Sequence, residues 1–198
     1  MTEQQLFIET IGPIIRREAF LRGYKYPSAI IAQACLESNF GRSKLAEYHN
    51  YFGLKTGSNW DGRRVNFATK EEYTVGQLTN IRADFRAYDS MEKGVIGYFD
   101  FIDTSRYANL KQAADAKSFL ELIKGDGYAT SSGYVVNNCN VIDKYNLTFY
   151  DWPRDPDFNY ALDVICEYVI AKTFGNGHDL RKTLIYDMIR ARVNELAK

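Results

Sequence analysis

Residues 28–45 read SAIIAQACLESNFGRSKL, and this stretch decides the fold. Its first part is almost wholly apolar, and Pro27 stands before it with Ser28 placed to cap a helix. A helix that is apolar on all sides belongs in the centre of a domain rather than on its surface. The sequence therefore predicts a buried helix that begins near Ser28, carries Glu37 in its last turn and ends before Gly41.

Glu37 shares a helical face with Ile30 and Ala34, at positions i, i+4 and i+7. On an apolar face near a helix C-terminus, desolvation and the helix dipole both raise the pKa of a carboxyl group. We therefore expect Glu37 to keep its proton near neutral pH. Such a group can protonate a leaving oxygen, which is the first requirement of glycoside hydrolysis. Composition alone favours a solvated surface glutamate, so the neighbouring motifs decide the interpretation.

Five motifs, in one order along the chain, resemble the lysozyme-like glucosaminidases of glycoside hydrolase family 73. The family patterns are A-x-x-E-S-x-x-G-x-S, N-x-F-G-I-K, T-x-E-Y-x-x-G, A-x-F-R-x-Y-x-S and G-Y-A-T. The segments that resemble them, in the same order, are residues 34–43, 50–55, 69–76, 83–90 and 127–130. The resemblance implies an α+β, mostly α, lysozyme-like catalytic domain over residues 1–150 with a small antiparallel β lobe.

The resemblance also implies roles for three residues. Glu37 is the expected acid, and Glu72 aligns with the second acidic residue that supports the oxocarbenium-like transition state or activates water. Adjacent strand residues point to opposite faces, so only one of Glu71 and Glu72 can face the cleft, and we expect Glu72. Tyr128 is expected as a polar and stacking partner beside Glu37. Attack by the 2-acetamido group of the sugar and inversion by an activated water both stay open.

Four residues are weaker candidates for the wall of a substrate groove. Aromatic side chains at such positions are more often part of a core, which limits the strength of this prediction. They are Asn50, Phe52, Trp60 and Tyr107.

Hydrophobic periodicity predicts the remaining elements of the catalytic domain. Residues 4–22 have the pattern of an amphipathic helix that Pro13 interrupts. Alternation over about 60–88 predicts an antiparallel hairpin or a three-stranded lobe. Further helices are predicted at 91–102, 107–114, 118–124 and 134–146.

The C-terminal part of the chain predicts a separate small unit. Residues 151–157 read DWPRDPD, a pattern typical of a linker. Residues 158–198 resemble the three-helix cell-wall-binding repeat of some phage lysins, although Tyr186 to Met188 replace its usual glycine-tyrosine turn. The residues that carry this resemblance, and that it implies bind the wall, are Gly175, Asn176, Gly177, Arg181 and Arg192. A helical tail packed on the catalytic domain is the alternative.

Composition excludes several other classes of protein. Lys and Arg number 25, as do Asp and Glu, so no basic excess indicates nucleic-acid binding. His49 and His178 lack the spacing of a zinc amidase, and we expect no metal and no cofactor. Cys35 lies in the apolar helix, where a Cys–His hydrolase could not activate it. The three cysteines form no disulfide framework, which is typical of synthesis in a reducing compartment.

Together these features predict a peptidoglycan hydrolase that cleaves the glycan strand after N-acetylglucosamine. The N-terminal residues MTEQQLFIETIG lack the pattern of an export signal, and no stretch reaches the apolar length of a membrane span. We therefore expect a phage or prophage endolysin that reaches the wall through a holin, with a virion-borne hydrolase as the alternative. A lytic transglycosylase or muramidase of the same fold, and a wall-binding protein with an inactive glycosidase fold, are the competing functions.

Overall fold

The computed structural model describes residues 1–57, 60–74 and 77–151, with the backbone alone over 69–81. The chain divides after Asp151 into two units, and the described residues belong to the first. Its main elements are α1 (Glu3–Arg22), α2 (Pro27–Glu37), β1 (Arg64–Thr74), β2 (Gln77–Arg86), α3 (Met91–Ile102), α4 (Ala116–Gly125) and α5 (Tyr134–Lys144). Short 3₁₀ turns span Ala46–Tyr48, Ser105–Gln112 and Leu147–Tyr150. The predicted mostly helical α+β class with a small antiparallel sheet is confirmed.

Two of the sequence predictions fall on residues that the structure does not describe. The three-helix unit at 158–198 and all but the first residue of the linker at 151–157 lie outside the described residues. Among the residues that are described, no helix has the length and apolar character needed to cross a bilayer.

Helix α2 lies at the centre of the helical body. Every residue from Pro27 to Cys35 is buried, and α1, α4 and α5 pack around the helix. Ile30 and Ile31 are fully buried, and each contributes about 1.5–3 kcal/mol by leaving water. The predicted buried helix is therefore confirmed, and the rest of the core is assembled around it.

The start of α2 is capped differently from the prediction. Tyr26 occupies the N-cap position without a side-chain hydrogen bond, and Pro27 forms the first turn. The Asp151 carboxylate accepts hydrogen bonds from the Ser28 backbone N–H at 2.8 Å and from the Ser28 hydroxyl at 2.7 Å. The prediction that Ser28 caps the helix is wrong, because a carboxylate from the far end of the unit satisfies the helix N-terminus. Burial raises the pKa of Asp151 to about 6, and the Ser28 hydrogen bonds act in the opposite direction.

Helix α1 runs through Pro13 without a break, so the predicted interruption is wrong. A proline inside a helix removes the hydrogen bond to the carbonyl four residues earlier. That carbonyl belongs to Glu9, an exposed residue, so solvent can replace the lost donor. On the buried side, Gly12 faces the ring of Tyr150, which would lie 2.7 Å from any Cβ at this position.

The β lobe is a two-stranded antiparallel hairpin. Its register runs from Arg64 opposite Arg86 to Thr74 opposite Gln77, with an irregularity between Glu72 and Thr74. At the base, the Arg86 N–H donates to the Leu54 carbonyl at 2.9 Å and thereby joins the hairpin to the segment before it. Elsewhere in the described residues the two strands pack mainly against each other. The predicted hairpin is confirmed, and the sheet has two strands, not three, in the part of the chain that the structure describes.

Candidate active site

Glu37 is the last residue of α2, and its side chain is exposed. A Cβ atom on Gly53 would lie 3.3 Å from Oε2 of Glu37, so the turn containing Gly53 lies directly against the carboxylate. Gly53 has a φ of +64°, which an L-residue adopts only with strain. The 50–55 turn and the end of α2 therefore meet at this carboxylate.

The exposure of Glu37 corrects one sequence expectation. Ile30 and Ala34 are fully buried, as their shared face predicts, but the last turn of α2 leaves the core and opens Glu37 to solvent. Helical periodicity cannot show where a helix emerges from the body. The raised pKa expected for Glu37 stays a prediction, and it now requires a bound substrate to exclude water from the carboxylate.

The chain reverses immediately after Glu37 through a strained segment. Asn39, Phe40 and Gly41 all have left-handed backbone conformations, with φ of 49°, 53° and 75°. The Ser38 hydroxyl donates to the Ala34 carbonyl at 2.6 Å and accepts the Gly41 N–H at 2.8 Å. Non-glycine residues in this conformation cost about 1–2 kcal/mol and are found preferentially at functional sites. The reversal ends α2 at Glu37 rather than a turn later.

Asn50 holds the turn that lies against Glu37. Its side chain accepts the Leu54 N–H at 2.9 Å and donates to the carbonyls of Leu54 at 2.9 Å and Arg86 at 2.8 Å. With all of these bonds made and 1% of its surface exposed, Asn50 cannot form the wall of an open groove. That expectation is corrected: Asn50 fixes the turn and ties it to the end of β2.

Tyr128 fastens the same turn from the opposite side. Its hydroxyl donates to the Phe52 carbonyl at 2.7 Å, and its ring lies edge-on to Tyr98 with the centroids 6.2 Å apart. Burial raises the pKa of Tyr128 well above its ordinary value, and the Tyr98, Tyr134 and Glu37 side chains act in the same direction. The structure therefore places Tyr128 within electrostatic reach of Glu37, with its proton committed to the turn.

A buried hydrogen-bonded group near Glu37 was not predicted from the sequence. Gln33, one helical turn before Glu37, is fully buried; it accepts the Tyr98 hydroxyl at 2.7 Å and donates to the Tyr134 oxygen at 2.5 Å. Because Tyr134 accepts this bond, its own proton can be donated to another group. Burial raises the pKa of Tyr134, and the charge of Glu37 acts in the same direction. The available signal was Gln33 itself, a lone amide within an apolar helix.

Three of the four predicted groove residues are not accessible. The first is Asn50, described above. Phe52 is 2% exposed and stacks on Tyr98, with the ring centroids 3.9 Å apart. Tyr107 is 1% exposed. These two expectations are also corrected, because both rings are used in the core. Trp60 is half-buried at the base of the hairpin, where its Nε1 donates to the Arg63 carbonyl at 3.0 Å. It is the member of the set that a substrate could reach.

The second predicted acid lies far along the hairpin. Glu72 is on β1 opposite Leu78, and the step from Arg64 at the base to Glu72 is roughly 26 Å at about 3.3 Å per residue. The side chains of Glu71 and Glu72 lie outside the described residues, so the choice between them stays a prediction. The predicted wall-binding residues Gly175, Asn176, Gly177, Arg181 and Arg192 also lie outside the described residues. In the described ranges, no three His, Cys, Asp or Glu side chains cluster as metal ligands.

The arrangement of a helix-end glutamate, a glycine turn and a buried tyrosine group within a helical body with a β hairpin defines a class of glycoside hydrolase. The glucosaminidase family, described as mannosyl-glycoprotein endo-beta-N-acetylglucosaminidase, matches residues 15–147. The chain belongs to this family, glycoside hydrolase family 73.

Named relatives and a solved structure agree with this assignment. The chain is 36% identical to peptidoglycan hydrolase FlgJ of Pseudomonas aeruginosa, over 65% of this chain and 33% of FlgJ. It is 31% identical to exo-glucosaminidase LytG of Bacillus subtilis, over 75% of this chain and 54% of LytG. Others, from Lactococcus lactis, are named probable N-acetylmuramidases. The chain thus spans about a third to a half of the length of these relatives.

The solved structure is a peptidoglycan hydrolase mutant from Sphingomonas sp. A1. The match has a TM-score of 0.64 and 31% identity, and it covers 74% of this chain and 97% of that one. The fold of the catalytic unit is therefore that of a lysozyme-like glucosaminidase.

Proposed function

We propose that the protein is a peptidoglycan hydrolase that cleaves the glycan strand after N-acetylglucosamine, with Glu37 as the general acid. The observation that carries this proposal is the Glu37 carboxylate, exposed at the end of a fully packed helix and backed by Gly53. Family membership supports the reaction, and the names of the relatives support the polymer on which it acts.

The geometry of Glu37 suits proton donation to a glycosidic oxygen. A fixed acid lowers the barrier only when its proton lies within hydrogen-bond reach of the leaving oxygen. The packed body of α2 fixes the backbone of Glu37, while its exposed carboxyl leaves room for a sugar. A bound glycan would displace water and favour the protonated form of the acid. In this proposal Tyr128 and Tyr134 act as positioning residues, through the turn and through the electrostatics around Glu37.

The second half of the reaction involves Glu72 or the substrate itself. If Glu72 activates water or supports the positive charge on the sugar, the hairpin must lean over the groove, because Glu72 lies roughly 26 Å along β1 from its base. If the 2-acetamido group attacks instead, Glu72 needs only to orient that group. Both routes require Glu37 to protonate the leaving oxygen as the glycosidic bond breaks.

Mass spectrometry of the fragments released from purified cell wall tests the proposal. A glucosaminidase leaves N-acetylglucosamine at the new reducing ends, and this is the expected result. Reducing muramic acid would assign a muramidase, and anhydromuramic acid a lytic transglycosylase. Absence of any released fragment, with the protein folded, would favour a wall-binding protein with an inactive fold.

We extend the proposal to the tail: residues 158–198 attach the enzyme to the wall. The tail resembles a phage-lysin repeat through Gly175-Asn176-Gly177, Arg181 and Arg192. Changing both arginines to alanine in the full chain should abolish co-sedimentation with intact walls but preserve cleavage of soluble glycan, because tethering raises the effective concentration only on the wall. If the double variant instead loses both its activity on soluble glycan and its folded structure, the tail is part of the catalytic body.

The likeness of the tail to lysin repeats favours an endolysin that a holin releases to the wall. The alternative is carriage on the virion. Detection of the protein in purified particles would assign the virion-borne form, and its presence only in lysates would assign the endolysin.

A further inference from the structure

A cation is held between two aromatic rings beside the active-site turn. The guanidinium carbon of Arg86 lies 4.7 Å from the centre of the Trp60 ring and 5.4 Å from that of Phe101. Nε of Arg86 donates to the Lys55 carbonyl at 3.2 Å, which fixes the side chain between the rings. All three side chains are half-buried, so the group is both ordered and partly open to solvent. We refer to Trp60, Arg86 and Phe101 as the arginine stack.

The arginine stack is joined to the turn that backs Glu37. The Arg86 backbone N–H donates to the Leu54 carbonyl at 2.9 Å, and the Asn50 side chain donates to the Arg86 carbonyl at 2.8 Å. Leu54 directly follows Gly53, the residue in contact with the Glu37 carboxylate. On its other side, the Phe101 ring lies 6.2 Å from the Tyr128 ring, centre to centre. The stack is therefore a continuation of the active-site surface from the turn and from Tyr128.

The chemistry of the arginine stack suits an anion attached to a sugar. A guanidinium group offers a fork of N–H donors that fits a carboxylate, and flanking rings exclude water and strengthen the contact. Among the described residues, no Asp or Glu forms an ion pair with Arg86. Trp60 and Phe101 are half-buried, so each keeps some apolar surface that a sugar can contact. In peptidoglycan, muramic acid carries a lactyl group, whose carboxylate is free where the stem peptide is absent, and the stem peptide has carboxylates of its own where it is present. Chitin-like glycans have neither.

We propose that the arginine stack is a subsite that binds a carboxylate of the muramic acid unit next to the cleaved bond. This subsite rests on the proposed function, and it makes the enzyme select peptidoglycan over neutral N-acetylglucosamine polymers. Arg86 provides the charge, and the two rings hold it in place and contact the sugar.

Binding to the full chain carrying Glu37→Gln tests the subsite without turnover, so it stays informative if the proposed reaction fails. Three soluble ligands are compared by Trp fluorescence or calorimetry: neutral chitotetraose, peptide-free glycan with free lactyl carboxylates, and peptide-bearing glycan. Adding Arg86→Gln should weaken binding of carboxylate-bearing ligands roughly ten- to a hundredfold, the usual worth of a charge-assisted bond. Chitotetraose binding should not change. Loss on peptide-free glycan alone assigns the lactyl carboxylate, because the stem peptide occupies that carboxyl in an amide bond. Loss on peptide-bearing glycan alone assigns a carboxylate of the stem peptide, and loss on both shows that the subsite accepts either source.

The controls separate binding from a structural role of the stack. Arg63→Gln removes a comparable cation that lies 5.4 Å from the Tyr48 ring at the same hairpin base, and it should leave all three affinities unchanged. Arg86→Lys keeps the positive charge but lacks the forked N–H donors of a guanidinium group. It should therefore keep part of the preference for carboxylate-bearing ligands. Equal weakening of all three ligands by Arg86→Gln, with or without loss of folding, would overturn the proposal and assign the stack to hairpin attachment.

Discussion

The two acids proposed for the reaction are held in contrasting ways. Glu37 ends a helix whose residues from Pro27 to Cys35 are all buried, and a hydrogen-bonded turn backs its carboxylate. Glu72 lies on a hairpin that is joined to the body at its base and whose strands otherwise pack mainly against each other. Rigid packing suits an acid whose proton must lie within reach of one oxygen, whereas Glu72 depends on how the hairpin is placed over the substrate.

Because of this contrast, substitutions near Glu37 and substitutions on the hairpin should have different effects. Changes near Glu37 should remove the chemical step or disturb a packed core. Changes on the hairpin should affect how the substrate is enclosed, with little effect on folding.

Glu37→Gln keeps the shape of the side chain but removes the proton. Hydrolysis of cell wall should fall by about two to four orders of magnitude, the usual contribution of a positioned acid. Release of reducing ends measures the rate, and circular dichroism confirms the fold. Glu47→Gln, on an exposed residue of the same region, is the matched control and should retain wild-type activity. Near wild-type lysis by a folded Glu37→Gln protein would remove Glu37 from the mechanism.

Glu72→Gln should lower activity by about a hundredfold, at the lower end of what a positioned acid–base group contributes. Glu71→Gln is the control and should be mild. Thermal unfolding should be unaffected in both variants. If Glu71→Gln is the damaging change, the strand faces are assigned in reverse, since a shift of one residue exchanges the two sides of a strand.

Tyr134→Phe and Tyr98→Phe each remove one hydrogen bond to the buried Gln33. Each should lower the free energy of unfolding by about 1–3 kcal/mol, the cost of an unsatisfied buried group. Only Tyr134→Phe should also lower activity, by roughly tenfold, because the charge of Glu37 acts on the Tyr134 hydroxyl. If Tyr134→Phe and Tyr98→Phe are similarly destabilised and equally active, Gln33 and the two tyrosines have only a structural role.

Asp103→Asn should give the smallest effect, on the stability of the helical body. Although desolvation opposes it, hydrogen bonds from Arg22, Lys111 and Tyr24 keep the pKa of Asp103 below its ordinary value of 3.8. A lowered pKa in the folded state stabilises the fold above pH 3.8, and this stabilisation is lost as the pH falls through the folded-state pKa. The variant should therefore be about 1–2 kcal/mol less stable at pH 7.

Thermal unfolding at pH 7 and at progressively lower pH checks the Asp103 prediction. The difference between wild type and Asp103→Asn should shrink below about pH 4. The more exposed Asp100, which also pairs with Arg22, is the control, and Asp100→Asn should cost less at pH 7. A stability difference between wild type and Asp103→Asn that grows as the pH falls would contradict the lowered pKa of Asp103.

The parts of the fold that follow from local pattern were predictable from the sequence. The apolar run after Pro27 predicted a buried helix, and the alternation in 60–88 predicted the hairpin. Contacts between distant residues were not predictable in this way. Asp151 caps α2 from the end of the unit, and Tyr134 bonds Gln33 across a separation of 101 residues. Local spacing contains no information about either contact.

The candidate site shows the same limit. Motif resemblance placed Glu37 and Tyr128 near each other, and both lie around the 50–55 turn. Aromatic type alone could not separate Trp60, which is accessible, from Phe52 and Tyr107, which are packed in the core. Whether a ring binds substrate or fills a core depends on which elements pack over it, and that is decided by the tertiary fold.

The central claim is that Glu37 donates a proton to the leaving oxygen, and the dependence on the leaving group tests it most directly. A dinitrophenyl leaving group departs without protonation, so a missing acid matters little for that substrate. The rates of wild type and Glu37→Gln are compared on cell-wall glycan and on a dinitrophenyl chitobioside. If Glu37 is the acid, the large rate deficit of the variant on glycan should nearly disappear on the activated substrate. An equal deficit on both substrates would contradict the role of Glu37 as the acid.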